Sequence, residues 1–110
     1  MPIKDRQSDR VPERVRAAAD QLAITALSFL ARDPERIGRF LAETGIGPGE
    51  LRSAAAQDGF GAGVLSFLLS DESLLLEFSA NESFRPEDVA RAHDVLNPPF
   101  NPDAPARREV

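Results

Sequence analysis

Apolar residues along this chain recur at spacings of three and four, and no segment alternates at period two. Such spacing lines one face of a helix, whereas a half-buried strand alternates. β-branched residues are sparse, which also disfavours strands. The first helix is read from Pro12, placed at a first helical position where proline loses nothing. Its stripe is Val15, Ala19, Leu22, Ala26 and Phe29, and a second flank of Ile24 and Leu27 predicts burial on two sides. Asp33-Pro34-Glu35 restarts the chain, with Asp33 as a side-chain cap for the free amides of a new helix. That second helix carries Ile37, Phe40 and Leu41 inward and ends at Gly45, a left-handed C-cap. Gly47-Pro48-Gly49-Glu50 starts a short third helix whose inner face is Leu51, Ala54 and Ala55, broken by Asp58-Gly59. Phe60, Val64, Phe67 and Leu68 define a fourth helix. Asp71 caps a fifth, bearing Leu74, Leu75 and Phe78, and Pro86 starts a sixth with Val89, Ala92 and Leu96.

The second half of this plan echoes the first. Leu27-Ser28-Phe29-Leu30 recurs 38 residues later as Leu65-Ser66-Phe67-Leu68. At the same offset Asp33 falls on Asp71, Phe40 on Phe78, Ala42 on Ala80, Pro48 on Pro86 and Ala54 on Ala92. These are 9 identities in the 28 pairs beginning at positions 27 to 54, where average residue usage gives roughly two by chance. Self-similarity at a fixed period is a signature of repeated architecture. The expectation is an all-α fold, a compact orthogonal helical bundle of about six helices with an internal three-helix duplication. Its halves are placed at about 12–57 and 58–96. Residues 1–11 are polar and aperiodic and are read as a flexible tail. Residues 97–110, with four prolines, are read as a second flexible tail in which Phe100 could reach back to the body.

The strings LSFLARDPERIGRFLAETGIGPGELRSAA and VLSFLLSDESLLLEF resemble a small bacterial family known as domain of unknown function 3572. The resemblance covers roughly residues 17 to 96 and rests on the FLARDPER turn, the RFLAETG helix end and the second FLLSDE turn. It implies an all-helical domain and no activity, cofactor or partner.

Composition narrows the function classes. With 110 residues a single domain is expected. Thirteen Lys+Arg against 18 Asp+Glu leave a net charge of −5, which disfavours a nucleic-acid binder that must neutralise phosphates. Residues 1 to 16 carry a local excess of two positive charges, read as a solvated end. There is no cysteine, so disulfides, thiolate zinc sites and thiol nucleophiles are ruled out. No apolar secretory stretch opens the chain and no run reaches the ~20 residues of a membrane span. A cytoplasmic protein with no membrane association is the expectation.

Candidate chemistry is thin. Asp33 and Asp71 would have to converge to act as an acid–base or metal-holding pair; capping alone explains both positions. His93 is the single histidine, too few for a zinc site without carboxylates. Ser28 and Ser66 have no neighbouring base and are read as bonding back to the preceding turn at close helix contacts. The glycine-rich stretches 45–49 and 59–63 match no phosphate-loop fingerprint. No catalytic, cofactor or metal site is expected. Arg32, Arg36 and Arg39 form a basic stripe, with Glu35 and Glu43 placed to neutralise it. Residues 41 to 52 echo a helix-turn-helix, but the expected recognition helix offers Glu50 and one arginine, Arg52, where base reading wants several donors. At the repeat offset Arg36-Ile37-Gly38-Arg39 becomes Leu74-Leu75-Leu76-Glu77. Three successive leucines cannot all face one core, so Leu76 or Leu74 is expected to point outward. Leu74, Leu76 and Phe100 are therefore the candidate interface, and Asp33, Asp71 and Gly45 the structural caps. The favoured reading is a non-enzymatic interaction or regulatory module with a protein partner or self-association. A helix-turn-helix-like DNA-binding regulator is the alternative.

Overall fold

A computed structural model describes residues 11–97. The chain forms α1 (Glu13–Ala31), α2 (Pro34–Thr44), a 3-10 turn (Pro48–Glu50) running into α3 (Leu51–Ala55), α4 (Phe60–Leu69), α5 (Glu72–Glu82) and α6 (Pro86–Leu96). There is no strand among the described residues. Residues 1–10 and 98–110, including Phe100 and most of both tails, lie outside the described residues.

The helix starts follow from side chains that satisfy free amides. The Glu35 N–H donates to Asp33 Oδ1 at 2.9 Å, and the Leu74 N–H donates to Asp71 Oδ1 at 3.1 Å. At two further starts an acid reaches back. The Gly47 N–H donates to Glu50 Oε1 at 3.2 Å, and the Arg85 N–H to Asp88 Oδ2 at 2.9 Å. Two helix ends also correspond across 38 residues. Gly45 closes α2 at φ +78°, and Ser83 closes α5 at φ +63°. Serine holds a left-handed conformation that strains any side chain and that glycine adopts freely. The correspondence does not extend to α3 and α6, which have five and eleven residues. Pro12 is the residue ahead of α1 rather than its first, because its ψ of 147° is extended.

Around one core, α1, α4 and α6 pack mutually, α2 lies against α1 and reaches α4 through Phe40, and α5 lies against α4, α1 and α6. Phe29, Phe40, Phe78, Leu30, Leu65, Leu68, Val64 and Val89 are fully buried. Phe29 and Phe78 meet edge-to-face at 5.3 Å, and Phe40 meets Phe67 the same way at 5.4 Å. Phe84 stacks on Phe78 from the rim at 5.8 Å. Of the two glycines of α4, Gly61 is the one set close against neighbouring helices. A Cβ there would stand 3.2 Å from both Ala23 Cβ and Leu96 Cδ1.

Three expectations about burial are corrected. Ile24 is 56% exposed and Val15 40% exposed. The early turns of α1 run past the core, and the short α3 leaves the Ile24 flank without a covering helix. Ser28 and Ser66 are both exposed, so they do not mediate close helix contacts. On α5, the Ser79 hydroxyl is buried and meets no hydrogen-bond partner among the described residues.

Candidate functional site

The candidate interface on α5 does not assemble as the sequence reads it. Leu74 is only 5% exposed, while Leu76 is 51% exposed. Leu74 stands one turn before the fully buried Phe78, so the two share the inward face. Leu76, half a turn away, faces solvent among the exposed Ser73, Glu77 and Ala80. It is a single exposed leucine, which by itself is ordinary for a soluble surface.

The arginine stripe is likewise not a free face. Arg32 pairs with Glu82, Arg36 with Glu77, and Arg39 with Asp71 at 2.8 Å. These partners lie on α5 or at its start, so the stripe ties the α2 region to α5. Glu35 and Glu43 act on Arg39 only at longer range. Arg36 is the best held of the three. Its guanidinium lies 4.1 Å from the Phe29 ring centre, donates to the Phe29 carbonyl at 3.3 Å, and stands 3.8 Å from Asp33. The paired residues stand 32 to 50 positions apart in the chain, beyond what near neighbours in sequence can signal.

Asp33 and Asp71 each bond their own helix amides and face different arginines, Arg36 and Arg39 respectively. The bonded Arg39 guanidinium, with the Leu74 N–H behind it, holds the Asp71 carboxyl below its ordinary value, against a smaller opposing effect of burial. The same pair raises Arg39. The Arg85 N–H is the main cause that lowers Asp88. Both carboxyls therefore bind protons more weakly in the folded chain than in the unfolded one. They stabilise the fold above the ordinary carboxyl value of 3.8, and that contribution disappears as pH falls through their lowered values. Thermal melts should give a constant midpoint down to about pH 4 and a falling one below it. Asp71→Asn keeps a capping oxygen but should flatten that acid limb.

His93 is half-buried on α6, its Nδ1 3.8 Å from Asp94. No group of three His, Cys, Asp or Glu is gathered among the described residues. In the helix-turn-helix-like stretch, α3 is about 7.5 Å long, and Glu50 is turned back onto the Gly47 N–H. No helix of the described residues is long and apolar enough to cross a membrane.

Two concave surfaces flank α1, and neither was read from the sequence. A groove of about 240 Å³ lies between the first half of α1 and α6. Val15, Ala18, Leu22, Phe84 and Val95 line it, and Asp88 and Arg91 stand at its rim. On a different face of α1 a cleft of about 490 Å³ has Ile24, Leu27, Phe60 and Leu96 as its apolar wall, with Arg16, Asp20 and Asp58 at its edge.

Six helices, two acid-capped turns and grooves without a gathered catalytic set define a small all-α domain. Residues 16–99 match the family described as protein of unknown function DUF3572, and the chain belongs to that family. No curated protein and no solved structure matches the chain.

Proposed function

We propose that the chain is a non-enzymatic, cytoplasmic protein-interaction module that pairs with a second copy of itself through the groove between α1 and α6. The observation that carries this reading is the stripe Val15, Ala18 and Leu22, spaced three and four apart along the groove. That spacing is the seam by which one helix packs into another, and Ala18 leaves room for a close approach. Val11, 37% exposed, extends the stripe ahead of the helix. The rim carries both signs, with Asp88 half-buried and Arg91 exposed. A mixed rim suits an isologous pairing, in which one patch must complement itself.

Sedimentation across a range of concentrations should give a monomer–dimer equilibrium. Val15→Glu, at an already exposed position, should abolish it while leaving the helical signal intact. Leu76→Glu should leave it unchanged. A monomer at every concentration would overturn the reading, as would a dimer that survives Val15→Glu.

A further inference from the structure

We infer that the second cleft, walled by Ile24, Leu27, Phe60 and Leu96, is the docking site for the chain's own C-terminal segment, with Phe100 seated in it. The inference is independent of self-pairing and uses a different face of α1.

The path of the chain is the first argument. Leu96 forms part of the cleft wall and is the last residue of α6, so the chain leaves the domain at the edge of the cleft. Asn97 is already out of the helix, at φ −143° and ψ 74°, as the residue before a proline is biased to be. Pro98 and Pro99 follow, and Phe100 comes next. Three residues of extended chain span about 10 Å, within reach of a cleft whose wall begins at Leu96. A partner tethered this closely has an effective concentration in the millimolar range, so weak contacts suffice.

The chemistry of the two surfaces is the second argument. Ile24 is the most exposed large apolar residue of the described chain, and it stands on this wall. A paired-proline sequence has little backbone freedom to lose, so docking against an aromatic-lined surface costs less entropy. Phe60, at the first turn of α4, supplies that aromatic. The charges also complement one another. The cleft edge carries Asp20, Asp58 and Arg16, and beyond Phe100 the segment carries Asp103, Arg107, Arg108 and Glu109, so each side offers both signs.

The chain has no tryptophan and no tyrosine, so Phe100→Trp in the full chain introduces the sole strong fluorophore at the point in question. Docking predicts emission shifted to the blue of free tryptophan, protection from acrylamide, and no change on dilution. Adding Ile24→Glu should move the emission to that of free tryptophan and remove the protection. Because Ile24 is exposed, this variant should keep its helical signal. Adding Leu76→Glu instead should change nothing. Free-tryptophan emission from the single variant overturns the inference. So does a blue shift that fades on dilution, which would mean docking between copies, or one that Ile24→Glu leaves in place. As a second readout, deleting residues 98–110 should shift the methyl resonances of Ile24, Leu27 and Leu96 and leave that of Leu76 in place. The reverse pattern would also overturn it.

Discussion

Phe78→Ala should lower the unfolding free energy by about 3–5 kcal/mol, the largest loss expected from any single side chain here. Phe78 is fully buried, meets Phe29 edge-to-face, and carries Phe84 stacked on its other side. Truncation therefore opens a cavity at the junction of α1 and α5 and also frees Phe84 at the rim. Small domains have only about 5–15 kcal/mol in total, so the variant should sit near the edge of folding. Its thermal midpoint should drop by roughly 20 °C. Urea titration followed by circular dichroism measures this directly, since the natural chain offers no tryptophan signal. Phe78→Leu, which conserves most of the volume, should lose less than half as much. A loss under about 1.5 kcal/mol for the alanine variant would mean that the aromatic cluster collapses to refill the site.

Arg36→Ala should cost about 2 kcal/mol, more than any other charged residue of the seam between α2 and α5. Most exposed ion pairs contribute little, and Arg32 and Arg39, whose side chains are 60% and 52% exposed, belong to that class. Arg36 is different because its side chain is only 18% exposed. Its flat guanidinium covers the Phe29 ring, donates to the Phe29 carbonyl and pairs with Glu77 together. Arg36→Lys should recover a minor part, since an ammonium cannot lie flat on the ring while meeting two acceptors. Glu77→Ala should cost well under half as much, because that carboxylate is 50% exposed and loses one partner. Equal losses for Arg36→Ala and Glu77→Ala would place the energy in the ion pair and not in the contacts to Phe29.

The number of helices, their order and their caps were legible because each rests on local chemistry. An Asp ahead of a Pro or an acid, and a Gly after a helical stripe, report the free groups of a helix end within four residues. What was not legible depends on long-range placement. The leucines of α5 required at least one outward residue, but periodicity alone left Leu74 and Leu76 equivalent; the packing of Phe78 separates them. The arginines were read as a solvated stripe because their near neighbours in sequence are glutamates. Their partners are Asp71, Glu77 and Glu82, reached only when α5 lies beside α2. The grooves beside α1 could not be read either. Val15 and Ile24 fit the helical pattern perfectly well, and they are exposed only because α1 outruns its neighbours and α3 stops after five residues.

The contact at Gly61 has a consequence for how this sequence can change. With Ala23 Cβ and Leu96 Cδ1 both 3.2 Å from where a methyl would stand, α1, α4 and α6 meet at one tight point beside the cleft. Positions 23, 61 and 96 are therefore a single unit of substitution. A side chain at 61 makes its neighbour at 23 or 96 give by a few tenths of an ångström, and a smaller residue at either position relieves the contact. Gly61→Ala and Leu96→Val should accordingly be non-additive, the second change restoring part of what the first removes. Relatives that vary at position 61 should vary at 23 or 96 in step with it, so covariation there would report a steric constraint and carry no information about a binding site.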